Sequence, residues 1–154
     1  VVIGVNAYCD KYDYDYLFFT NSVRYEYAKE VYGDKLDGIA KILLSNITSE
    51  ASEGAAVINF NSVIKRGWEH FDNAMILALR LTGRIKLPEV NVAGFDGFKT
   101  SYNESYADLS LPTLNPDGKW DELNEEIKDM FTDYKASVDG KQKINFLTES
   151  FFNE

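Results

Sequence analysis

The chain is 154 residues long, with 45% hydrophobic and 14% aromatic side chains, including 10 Tyr and 10 Phe. Such a chain can bury a core unaided, which excludes an intrinsically disordered segment. The 16 basic residues are scattered among 25 acidic ones, for a net charge of −9, which disfavours a nucleic-acid partner, and the single Cys9 and single His70 exclude an internal disulfide and a Cys/His zinc cluster.

Val1 to Val5 is a run of mostly β-branched residues ending at Asn6, as expected of a strand covered on both faces. Tyr16 to Phe19 is a second strand, closed by Thr20-Asn21. The link between them is short for a helical crossover, so it is irregular or the two strands are antiparallel. Ser22 to Tyr32 has helical spacing at Tyr25, Ala28, Val31 and Tyr32, with Ser22 or Asn21 as N-cap and Gly33 as the stop. Ile39 to Leu44 is a third strand ending in Ser45-Asn46, and Ala56 to Phe60 a fourth, with Asn59 and Asn61 at its end. Each apolar run is followed by Asn, Ser or Thr.

Ser62 to Phe71 has no clean period and reads as an exposed loop or a short helix. Asp72 stands where an N-cap would, ahead of the almost wholly apolar Asn73 to Leu81 and a stop at Gly83. A helix with so little polar surface is expected between a sheet and another layer. Val90 to Phe98 is a short fifth strand running into Gly94-Phe95-Asp96-Gly97. Lys99 to Asp117 reads as a long loop with a turn at Asn115 to Gly118, the kind of connection that is often a functional lid or disordered. Trp120, Leu123, Ile127, Met130, Phe131 and Tyr134 mark an amphipathic helix with an acidic first turn, and Lys143 to Leu147 a sixth strand.

Together these elements predict a single α/β domain over residues 1–154, a three-layer Rossmann-like fold with a mostly parallel sheet of about six strands. A chain that opens in mid-strand is expected to be excised from something longer. No apolar run approaches the ~20 residues that span a membrane. With no signal-peptide pattern, the sequons at Asn46 and Asn103 read as chance, and the cytoplasm is the expected compartment.

If most strands are parallel, Asn6, Thr20-Asn21, Ser45-Asn46, Asn59 with Asn61, Asp96 and Thr148-Glu149 gather at one sheet edge, where ligands of open α/β sheets bind. Amides and hydroxyls there suit a small polar or nucleotide-linked ligand, and they are also what caps helices and starts turns everywhere. Asp96 between two glycines could be a general base, a ribose-hydroxyl acceptor or a turn-closing residue. His70 is the one imidazole for acid/base work, Arg24 could bind a carboxylate or phosphate, and Asn73 could hold an anion at the start of the buried helix. No metal and no cofactor are required by any motif, and the dinucleotide, P-loop and nucleophile-elbow signatures are absent.

Asp72-Asn73-Ala74 with its helix and Val92-Ala93-Gly94-Phe95-Asp96-Gly97-Phe98 resemble the C-terminal region of bacterial aldolase-like proteins of the HMG-CoA lyase type. These are often described as 4-hydroxy-2-oxovalerate aldolase-like and found with surface-polysaccharide genes. Val2 to Asn6, Asp15 to Phe18 with Thr20-Asn21 and Arg24-Tyr25, and Asn145 to Thr148 look like the same region. The resemblance implies an accessory domain whose partner is an aldolase barrel, a metal-dependent lyase, earlier in the same longer chain. The helix followed by Ala-Gly-Phe-Asp is more faintly similar to the Rossmann-like fold of bacterial sialyltransferases, which would imply a sugar-nucleotide-dependent transferase with Asp96 or His70 as base. A third reading is a structural domain, with Tyr8, Tyr12, Tyr14 and Tyr16 as an aromatic surface for homo-oligomerisation.

Overall fold

The computed structural model describes residues 1–51, 54–98 and 119–153. The chain divides into two compact units, Val1–Val63 and the described residues from Ile64 onward. The loop expected over Lys99 to Asp117, with the sequon at Asn103 and the turn at Asn115 to Gly118, lies outside the described residues.

The first unit holds β1 (Ile3–Val5), β2 (Tyr16–Phe19), α1 (Ser22–Tyr32), β3 (Ala40–Leu44) and β4 (Ala56–Ile58), with short 3-10 turns at Gly33–Leu36 and Phe60–Ser62. All four strands are parallel and lie side by side in chain order. The irregular link between β1 and β2 therefore returns the chain to a parallel strand. Leu17 and Phe19 of β2 pack with Tyr25 and Ala28 of α1, Leu36 and Leu43, and Phe18 on the opposite face is also fully buried. The strand expected from Val1 is shorter and lies at the sheet edge, so Val1 is 97% exposed and only Gly4 of β1 is buried. Tyr8, Tyr14 and Tyr32 pack against this core as a ring cluster, with Tyr8 5.8 Å from Tyr14 and 5.0 Å from Tyr32, while Tyr12 and Tyr16 remain exposed.

The second unit holds α2 (Ala74–Arg84), β5 (Glu89–Val92), α3 (Trp120–Ser137) and β6 (Lys143–Phe146). Strands β5 and β6 pair in parallel and alternate cleanly. Val90, Val92, Ile144 and Phe146 meet the core built from Ile76 and Leu79 of α2 and Leu123, Ile127, Met130, Phe131 and Tyr134 of α3. On the other face Asn145 donates to Asn91 (2.9 Å) and to Glu89 (2.7 Å), and Lys143 lies 3.3 Å from Glu89.

Among the described residues the six strands thus do not form one sheet: four form one and two form another, so the expected six-stranded Rossmann-like sheet is corrected to a mixed α/β structure with a four-stranded parallel sheet and a separate pair. The physical reason lies in the connections. Among the described residues of the first unit only α1 is a full helical crossover, and a sheet whose order follows the chain has no point where that order reverses. Among the described residues no helix is long and apolar enough to cross a membrane.

Gly33 ends α1 at φ +42, as expected of a helix stop, but Gly83 does not stop α2. The helix runs on to Arg84, and Gly83 is instead a place of close approach. A Cβ there would lie 2.8 Å from Tyr134 Oη, whose hydroxyl donates to the Leu79 carbonyl at 2.6 Å. Gly83→Ala is expected to destabilise by about 1 kcal/mol, because overpacking of ~1–3 kcal/mol exceeds the helix-propensity gain of up to ~1 kcal/mol. Urea denaturation checks this, and adding Tyr134→Phe, which removes the clashing oxygen, should return part of the loss.

Candidate functional site

The Asn, Ser and Thr residues that follow each strand of the first unit meet at its C-terminal edge and lace the strand ends together. Asn6, held at φ +55, donates from Nδ2 to Thr20 Oγ1 (2.7 Å) and accepts from the Thr20 N–H at Oδ1 (2.8 Å). Asn46 donates from Nδ2 to the Thr20 carbonyl (3.0 Å). The Ser45 N–H donates to the Ile58 carbonyl (2.8 Å), and the Phe60 N–H donates back to Ser45 Oγ (3.0 Å). Thr20, which is 5% exposed, joins the ends of β1, β2 and β3, and Ser45 joins that of β4 to β3. The belt gives backbone groups at the end of the ladder partners that further strand would otherwise supply.

Asn21 caps α1, accepting from the Arg24 N–H at 3.0 Å, so Arg24 enters the first turn of the helix. Ser22 Oγ accepts from the Thr48 N–H (3.1 Å), fastening the loop after β3 beside that N-terminus. Asn6, Asn21 and Asn46 are therefore brought to one edge, with the positive end of α1 among them. Thr20 and Ser45 are the members that sequence reasoning undervalued, although each sits in the same place in the repeating pattern of an apolar run and a polar stop.

Asn73, His70 and Asp96 belong to the second unit. Asn73, and not Asp72, is the N-cap of α2, accepting from the Ile76 N–H at 3.1 Å. Asp96 lies between Gly94 (φ +73) and Gly97 (φ +96). Its carboxylate accepts from Thr148 Oγ1 (2.9 Å), and the same oxygen of Thr148 accepts from the Gly94 N–H (3.1 Å). Beyond it, the buried Asn124 clamps Phe98, accepting from its N–H and donating to its carbonyl, each at 2.8 Å. A Cβ on Gly97 would come within 3.0 Å of Phe151 Cβ and 3.3 Å of Asn124 Oδ1, so glycine is needed for space as well as for backbone angle.

His70 is doubly bound to Glu126 of α3: its Nδ1 lies 2.7 Å from Oε2, and its backbone N–H donates to Oε1 at 2.9 Å. Burial raises the Glu126 carboxyl, but hydrogen bonds from the His70 ring and backbone, with its charge, more than offset this and hold the pKa below the ordinary carboxylate value. Glu126 passed unmarked in the sequence. The available signal was the spacing of Glu126, Asp129 and Asp133, three carboxylates on one helical stripe.

Chemically, the two units offer different things. The edge of the first presents neutral donors and acceptors in a fixed frame, suited to holding a polar ligand. The titratable candidates of the second, His70 and Asp96, are each engaged with a neighbour, Glu126 and Thr148 respectively. Among the described residues no group of three or more His, Cys, Asp or Glu is placed to hold a metal ion. Comparison of this chain with family models, with curated protein sequences and with solved structures gave no match in any of the three.

Proposed function

We propose that this chain is an accessory α/β domain of an aldolase-like protein, binding a small polar or nucleotide-linked ligand at the C-terminal edge of its four-stranded parallel sheet. The observation that carries the reading is the convergence of Asn6, Asn21 and Asn46 on that edge beside the N-terminus of α1. An asparagine amide offers two donor hydrogens and two acceptor lone pairs, so the lacing bonds engage only part of its capacity. The frame is fixed before a ligand arrives, which lowers the ordering cost of binding. Binding is preferred to transferase chemistry because the groups gathered there are amides and hydroxyls.

The test is a thermal-shift and ¹⁵N NMR titration against nucleotides, sugar nucleotides and 2-oxo acids. A ligand at ~100 times its Kd adds ~2.7 kcal/mol and should raise the Tm by about 5–10 °C. Amide shifts should centre on Asn21, Ser22 and Asn46, and Asn46→Ala should weaken them. A folded sample that responds to none of the three classes would overturn the binding reading and leave a structural domain.

A further inference from the structure

The stretch Ile64 to Asp72 lies on α3 without being a helix or a strand. Its attachment runs through the carboxylates of one stripe of that helix. Asp133 Oδ1 takes Lys65 Nζ at 2.5 Å, Asp129 Oδ2 takes the Trp68 indole N–H at 2.8 Å, and Glu126 takes the ring and backbone of His70. Trp68 also covers a flank of the core and has Lys65 Nζ 5.8 Å and the Arg80 guanidinium 5.9 Å from its ring centre.

Arg80 of α2 is the odd member. Its side chain is only 11% exposed, and Nη1 and Nη2 are buried without a hydrogen-bond partner among the described residues. A buried guanidinium left in this way carries a large desolvation cost. Asp133 Oδ2 is near, at 3.9 Å, but too far for a hydrogen bond, while the other oxygen of the same carboxylate is committed to Lys65. Asp133 therefore stands between two cations and is fully bonded to one.

We propose that Ile64–Asp72 is a strap with two states, in which Asp133 either holds Lys65 with the strap closed over Trp68's site or turns to Arg80 as the strap lifts away and bares that flank of the core. Hydrogen bonds gained by Arg80 in the open state offset part of the packing given up when the strap lifts, so that state lies within reach of the folded protein. Weakening the carboxylate bonds favours opening. The groups facing the strap are Glu126, Asp129 and Asp133 of α3 and Arg80 of α2, and the strap itself carries Lys65, Arg66, Glu69, His70 and Asp72. Salt screens the exposed Lys65–Asp133 pair. With its pKa depressed in the folded state, Glu126 contributes stability that is present above the ordinary carboxylate pKa and lost as pH falls through the folded value.

Exchange of the Trp68 indole N–H, followed by NMR in a Trp120→Phe background, reads the opening directly. Lys65→Met frees Asp133 and should speed that exchange about tenfold or more, the loss of one charge-assisted bond, with the amides of α3 unchanged. Arg80→Met removes the alternative partner and should slow it, whereas a merely structural arginine, once lost, would loosen the packing on Trp68 and speed it. Slower exchange in Arg80→Met with faster exchange in Lys65→Met supports the two-state strap. Exchange of Trp68 only at the rate of global unfolding, or faster exchange in both variants, overturns it. Should Arg80→Met not fold, Lys65→Met in 1 M against 50 mM NaCl decides: the salt acceleration expected in the parent should largely vanish in the variant, and its persistence there, or its absence in the parent, overturns the proposal.

Discussion

Phe131→Ala is expected to cost about 3–5 kcal/mol, the range for deleting a large buried aromatic whose site cannot collapse. Phe131 is 1% exposed on α3 and stands edge-on to two rings, with its centroid 5.7 Å from Phe95 and 5.7 Å from Phe146. Those two are stacked at 6.3 Å, and Phe95 also meets Phe152 at 4.4 Å. Each good aromatic pair adds ~0.5–1.5 kcal/mol beyond its buried area, so the substitution removes favourable ring geometry as well as buried surface. Collapse into the space is restrained from three sides, because the neighbours belong to the turn after β5, to β6 and to the segment beyond it. Urea denaturation followed by circular dichroism checks the value. Phe131→Leu, which keeps most of the volume, should lose about 1.5 kcal/mol or less. A loss under about 1 kcal/mol in Phe131→Ala would show that the second unit is held elsewhere.

Phe131 belongs to the part of the fold that was plain in the sequence. Leu123, Ile127, Met130, Phe131 and Tyr134 fall three and four apart, and all five are buried. The strands were equally visible as short apolar runs, and the bounds of α1 with its Gly33 stop follow from side chains that act on their own neighbours, the sequence offering Ser22 or Asn21 as the cap and the structure using Asn21. What a sequence does not carry is which run pairs with which. Val90 and Val92 pair with Ile144 and Phe146 more than fifty residues away, and nothing local to either run distinguishes that pairing from addition to the sheet of the first unit. The same limit applies to Gly83, which reads as a helix stop until Tyr134 is seen against it. It applies again to Lys65, Trp68 and His70: they have no period of their own because their spacing follows the carboxylates of α3.

The polar stops after each strand are the harder case, because the sequence shows where they are but not what they spend their hydrogen bonds on. Asn6, Thr20, Ser45 and Asn46 are first of all fasteners of strand ends. A ligand at this edge would meet a surface already ordered by those bonds. Loss of the fasteners and loss of binding are therefore most tightly linked at Asn6, which spends two bonds on Thr20, and less so at the exposed Asn46, which spends one, so Asn46 is the residue to change when binding is the question.

Asn6 is where changing a fastener should tell most. Asn6→Ala removes both bonds to Thr20 and leaves the N–H of a buried residue without its acceptor, a cost of ~1–3 kcal/mol. Alanine must in addition hold φ +55, where an ordinary side chain costs ~1–2 kcal/mol and asparagine is among the residues that tolerate it. The expected total is about 2–4 kcal/mol. Asn6→Gly removes the same bonds without the backbone strain and should recover about 1 kcal/mol, less the entropy glycine adds to the unfolded chain. Asn6→Asp keeps an acceptor for the Thr20 N–H, offers a second to the Thr20 hydroxyl and tolerates the backbone angle, so it should stay within about 1 kcal/mol of the parent near neutral pH. Urea midpoints of the three variants therefore fall in the order Asp, Gly, Ala. If Gly and Ala coincide, no strain is held at Asn6; if Asp falls as far as Gly, the bonds to Thr20 do not fasten the edge.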